Sequence, residues 1–299
     1  MRGFAISVPP HGSFADFDRL VDLAVAAERF GWDAFFLWDH VFFERGFREA
    51  VLDPWVVLGA IAHATCRIRL GTMVTPLSRR RPWKVARETL TLDRASNGRL
   101  VLGVGLGYPQ DAEFGDLGDV ADPRTRAERL DESLDYLRLA WSGEEFAFNG
   151  THIRTAAASF APRATHEGRI PVWVGGYWPN RRPFVRASKH DGVFPGRLRL
   201  SRRRAWTPDP YPLEDYRRIV EFIRSERRID DDYAFAIGGY TDRGTDTELV
   251  HHYVKVGANW WIENLHEYRG GIEFAEKRIA LGPPVLESRR PVPSGGQGA

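Results

Sequence analysis

The chain has 299 residues, 43% hydrophobic and 27% charged, which is enough apolar material for a large core in a chain that folds by itself. Lys+Arg number 42 and Asp+Glu 40, leaving a formal charge of +2, so no global field favours nucleic acid or an anionic membrane as a partner. The single Cys66 excludes an internal disulfide, and no stretch approaches the ~20 apolar residues that span a bilayer, so a cytoplasmic protein is expected.

Short β-rich apolar runs alternate with amphipathic helical stretches along the chain. A strand over 3–8 precedes a helix over 16–30, in which Leu20, Leu23, Ala24, Ala27 and Phe30 make one apolar stripe. A strand over 34–38, a helix over 54–65 opened by Pro54, a strand over 68–74 and a helix over 82–95 come next. The fourth unit joins a strand over 100–104 to a helix over 124–141 that carries Leu130, Leu134, Leu137 and Trp141 on one face. The helical period then lapses over 144–170, where EFAFNGTHIR reads as a hairpin or extended excursion. Strands over 171–174, 192–194, 233–237 and 259–263 alternate with helices over 179–190, 213–224, 246–257 and 271–281. Eight such units over about 250 residues predict an α/β fold, a (β/α)8 TIM barrel with an insertion after the fourth helix, forming a single domain over 1–282. The Pro/Gly/Ser-rich segment 283–299 predicts a disordered tail.

In such barrels chemistry collects where strands run out into the following loops. The residues there include His11, Asp39 and His40, Thr72 to Thr75, Gly105 to Tyr108, Gly175 to Tyr177, Pro195 and Gly196, and His266. Glycine at several neighbouring strand ends has two readings: room and backbone N–H groups for a wide, flat, phosphate-bearing ligand, or nothing more than tight strand exits. Gly103, Gly105 and Gly107 do not make a dinucleotide fingerprint, because the third glycine of that spacing falls on Tyr108. Asp39 and His40 follow the strand AFFLW directly. Either they form a titratable pair at the barrel mouth, or Asp39 bonds loop amides while His40 packs on Trp38.

With FLWDH, IRLGTMVTP, TLDRASNGRLVLGVGLG, PVWVGG and DGVFP occurring in this order, the chain resembles the luciferase-like family of flavin-dependent and coenzyme F420-dependent oxidoreductases and monooxygenases. The resemblance weakens after Gly196. It implies a (β/α)8 barrel with an excursion after the fourth helix, and noncovalent reduced FMN or, alternatively, the deazaflavin F420. It makes His40 the proton-transfer residue with Asp39 near the ring. It puts a non-proline cis peptide at Met73-Val74 behind the ring, with Thr72 and Thr75 beside it, and Gly105 and Gly107 at the next strand exit. Gly175, Gly176 and Tyr177, together with Pro195 and Gly196, match phosphate-binding turns, although Tyr177 and Trp178 are bulkier than the small residue usual there. Arg181 or Arg182 adds charge.

The activity implied is oxidation of a small organic substrate, by oxygen with FMN or by hydride transfer with F420. The expected partners are a second copy of the chain and, for FMN, a separate flavin reductase. The basic run RLRLSRRRAW over 197–206 reads as an active-site lid, a clamp for a polyanionic cofactor tail or an interaction surface. Two rivals differ in class: a metal-dependent hydrolase built on Asp39, His40, His11 and His266, and a flavin-binding barrel without turnover.

Overall fold

In the computed structural model, residues 1–43, 45–196, 211–230 and 232–286 are described. The basic run and most of the loop that carries it lie outside the described residues.

The first half runs β1 (Gly3–Val8), α1 (Phe17–Arg29), β2 (Ala34–Leu37), α2 (Pro54–Ala64), β3 (Arg69–Pro76), α3 (Pro82–Ala95) and β4 (Leu100–Gly105). A four-residue helix, α4 (Gln110–Glu113), precedes the long α5 (Pro123–Ser142). The second half holds β5 (Phe146–Asn149), β6 (Arg154–Ala158), β7 (Val172–Gly176), α6 (Arg182–Ala187), β8 (Gly192–Pro195), α7 (Leu213–Glu226), β9 (Ala234–Gly239), α8 (Thr247–Lys255), β10 (Trp260–Asn264) and α9 (Gly271–Ala280). Eight parallel strands close in the order β1, β2, β3, β4, β7, β8, β9, β10, and β10 returns to β1 with Trp260 opposite Gly3. β5 and β6 form a separate antiparallel pair outside the barrel wall.

Local chemistry accounts for the helix starts. Asp16, Asp53 and Asp122 each accept backbone N–H bonds from the first turn of α1, α2 and α5, and proline opens the latter two helices. Gly143 ends α5 in the left-handed region at φ 80°.

The apolar residues sort into two groups. One fills the layer between strands and helices; the other, with Phe36, Met73, Trp173 and Trp260, fills the barrel interior. The second group makes the barrel a packed core and leaves the mouth as the place for a site.

Two expectations are corrected. Phe30 is 40% exposed, because it follows the last turn of α1 and does not continue its buried stripe. The tail does not begin at Pro283: Val285 donates its N–H to the Gly244 carbonyl and Leu286 is buried, while 287–299 lie outside the described residues. No helix among the described residues is long and apolar enough to cross a membrane.

Candidate active site

β2 ends at Leu37, and the chain beyond it delivers Asp39 inward. Its carboxylate accepts from Thr75 (2.6 Å), Trp55 Nε1 (3.1 Å), Arg79 (3.0 Å) and Arg80 (3.2 Å), while Arg79 also donates to the Asp39 carbonyl (3.1 Å). Three of these donors meet on Oδ2 and Arg79 alone on Oδ1, so the buried carboxylate anchors the β2 and β3 ends to one another.

The adjacent His40 turns the other way, toward α4. Its Nδ1 lies 3.6 Å from Glu113 Oε1, an ion-pair separation and too long for a hydrogen bond. Glu113 is completely buried and gathers the N–H groups of Val41 (3.1 Å), Phe42 (2.8 Å) and Phe43, as well as the Arg79 guanidinium. Phe43 completes this nest with φ at 71°. Burial opposes the charge of Glu113, but His40 and the nest amides outweigh it and hold the carboxyl well below the usual carboxylate range. Sequence reasoning missed Glu113. The only local signal was an acidic residue beyond the glycine-rich exit of β4.

β3 breaks register between Thr72 and Thr75, and its Met73-Val74 peptide is cis. Met73 points into the barrel interior, while Val74 rises toward β4 and β7. A Cβ on Gly105 would lie 2.8 Å from one Val74 methyl carbon, and one on Gly175 3.2 Å from the other. These two glycines make room for Val74, which forms an apolar shelf at the mouth.

The remaining glycines are spoken for in similar ways. A Cβ on Gly107, itself at φ 80°, would lie 2.8 Å from Phe114 and Pro76; one on Gly176 would lie 2.3 Å from Pro183, and one on Gly196 2.8 Å from the Tyr177 ring. The Gly196 N–H donates to the Gly176 carbonyl (2.9 Å), where Gly176 pairs with Pro195, so that amide is committed to the sheet and not to an anion. Thr72 is also committed: fully buried, its hydroxyl lies 2.8 Å from that of Thr75 and 3.3 Å from the Gly103 carbonyl. Arg181 stacks over Phe222.

Across the mouth, at the ends of β1, β2 and β10, a cavity of about 420 Å³ is lined by His11, Trp38, Phe43, Phe47, His266 and Tyr268 among others. Burial, reinforced by His40 and His266, pushes His11 down to about 4. Burial, reinforced by Arg269, pushes His266 down to about 4 as well. Both rings are therefore neutral near pH 7.

A model of the luciferase-like monooxygenase family matches residues 3–276. The chain belongs to that family. Among sequence relatives, the F420-dependent glucose-6-phosphate dehydrogenase of Nakamurella multipartita is 37% identical over 166 residues, covering 54% of this chain and 47% of that protein. The chain thus spans about half the length of this curated relative. Among solved structures, an F420-dependent secondary alcohol dehydrogenase in complex with an F420-acetone adduct superposes with a TM-score of 0.74 at 15% identity, covering 94% of this chain and 97% of that one. The oxygenating constituent of 3,6-diketocamphane monooxygenase from Pseudomonas putida, in complex with FMN, gives 0.69 at 16% over the same shares. At such identities these structures establish the shared fold.

For a luciferase-like barrel, the residues present fit a flat ring at the mouth: the Val74 shelf is apolar, glycine-backed and next to His40 around the barrel. The metal reading has no such support. Asp39 is consumed by Arg79, Arg80, Thr75 and Trp55, and among the described residues no three His, Cys, Asp or Glu side chains converge to hold a metal ion.

Proposed function

We propose that the protein is an oxidoreductase that moves hydride between the deazaflavin F420 and a small organic alcohol or carbonyl compound, with His40 handling the proton. One observation carries this reading: His40 stands at the end of β2, between the Val74 shelf on the β3, β4 and β7 side and the imidazole-lined cavity on the β1 and β10 side. The named relatives that share 33–37% identity are F420-dependent, which favours F420 over the FMN expected first from the sequence.

When bound, the deazaflavin supplies a ring carbon that accepts or returns a hydride. Val74 would support the ring, and the glycines behind it let the valine rise. With Nδ1 facing Glu113, His40 presents Nε2 to take the hydroxyl proton as the substrate carbon loses hydride. Glu113 stabilises the imidazolium so formed, and Arg79 holds Glu113 in place.

The test is a titration of the purified protein with F420 and with FMN, each oxidised and reduced, followed by fluorescence. F420 binding, with bleaching of the oxidised coenzyme on addition of an alcohol that His40→Asn abolishes, is the expected result. FMN binding in its place, with oxygen uptake on reduction, returns the reading to a monooxygenase. Binding of neither overturns it.

A further inference from the structure

The cavity at the ends of β1 and β10 is walled by two histidines whose buried ring nitrogens the protein itself leaves largely unanswered. His11 and His266 are each 5% exposed. Both ring nitrogens of His11 and Nδ1 of His266 are buried without a hydrogen-bond partner among the described residues; Nε2 of His266 lies 3.4 Å from the Tyr240 hydroxyl. A neutral imidazole presents one donor and one acceptor, so His11 asks for two partners of opposite sense. A hydroxyl serves either way. Three unmet nitrogens on two rings that line one cavity therefore match a molecule bearing several neighbouring hydroxyls.

The walls carry a second message. The Phe43 ring lies 4.2 Å from His11 and the Phe47 ring 5.2 Å, giving flat apolar faces beside the polar atoms. The lining charges favour no anion, since Arg48 is outnumbered by Glu49 and Glu267. Arg45 is neutralised by Asp116, and the Glu49 and Glu267 carboxylates both lie within 2.6 Å of where a Cβ on Gly12 would stand. Only glycine, at φ 62°, lets the two acidic side chains meet there.

We propose that His11 and His266 bind the substrate, and that the substrate is an uncharged polyhydroxylated ring, held by hydroxyl-to-imidazole hydrogen bonds and stacked on Phe43 or Phe47. This rests on the oxidoreductase reading for the fate of the molecule, but not for its binding. It also parts from the phosphorylated sugar named for the relatives.

Isothermal titration of the full chain, with and without F420, tests it, using myo-inositol, cyclohexanol, glucose and glucose 6-phosphate as probes. The expected order has myo-inositol and glucose tighter than cyclohexanol, and glucose tighter than its phosphate. His11→Phe and His266→Phe are each expected to lower myo-inositol affinity about tenfold, while F420 affinity stays within about twofold. His11→Gln keeps a donor and an acceptor and should stay within about threefold of the parent.

Glucose 6-phosphate binding as tightly as glucose would overturn the assignment. So would phenylalanine variants that bind the polyols unchanged, or a glutamine variant that loses as much as phenylalanine, since the loss would then be one of packing. Failure of F420 to bind leaves the polyol titration readable and counts against the F420 reading alone.

Discussion

Nδ1 of His40 and Oε1 of Glu113 face each other at 3.6 Å, although they are 73 positions apart in the chain and Glu113 lies on a helix of only four residues. The short helix α4 carries the carboxylate to β2, where the 41–43 turn closes around it. His40 thus has a buried anion behind it and the open mouth in front.

Glu113→Gln keeps the shape and removes the charge. The Arg79 cation then loses one of its two carboxylates, and the proton held by His40 loses its counterion. Turnover is expected to fall by about 10²–10⁴-fold, the range for a disabled acid–base group, with F420 affinity little changed. Stopped-flow reduction of F420 over a pH series checks this. An unchanged pH profile would detach Glu113 from the proton-transfer step.

Arg79 joins the two buried carboxylates, reaching Asp39 at 3.0 Å and also Glu113. Arg79→Leu leaves Glu113 without a guanidinium and Asp39 with Arg80 alone, and breaking a buried pair costs about 3–5 kcal/mol. Guanidinium unfolding should show that loss in the midpoint. Lysine at 79 is expected to recover only part of it, because a single ammonium cannot reproduce the forked contact with both partners.

His11 and His266 set an acid limit. In the unfolded chain their ordinary value is about 6.5, and burial lowers both to about 4 in the fold. Between these values the unfolded chain binds more protons, so stability is fully present above about pH 6.5 and is lost as pH falls toward 4. Denaturant midpoints measured from pH 7.5 down to about 4.5 should fall, and more shallowly in the His11→Phe/His266→Phe double variant. Parallel curves for the two proteins would contradict the assignment.

Val74 and Gly105 should behave as a coupled pair. A Cβ at 105 would lie 2.8 Å from a Val74 methyl, so Gly105→Ala is expected to cost about 1–3 kcal/mol by overpacking. Val74→Ala should relieve that clash, so the double variant is expected to be more stable than the sum of the single changes predicts. A thermodynamic cycle from urea unfolding measures the coupling, and strict additivity would refute the packing.

The barrel was legible in the chain because periodicity is local. The 3–8 strand and the 82–95 helix coincide with the elements observed, and Asp or proline at the helix starts marks the boundaries. The Asp39-His40 pair was legible as a mouth position for the same reason: it directly follows a strand. Its division of labour was not. Neighbouring residues in an extended segment point to opposite sides, and only the surroundings on each side tell the Asp39 anchor from the His40 ring at the mouth.

Glycine at 105, 175 and 196 marked crowded strand ends, but sequence could not tell a ligand from a neighbouring side chain as the occupant. The occupants are Val74 of β3 and Tyr177 just past the end of β7. Glu113, His11 and His266 acquire their relation to His40 only when the sheet closes and brings the ends of β1, β2 and β10, together with the α4 loop, around one mouth. The alternation of apolar residues determined that there would be a mouth. Closure of the sheet decided which side chains meet there, because contacts across a barrel depend on strand order and register, which no local pattern encodes.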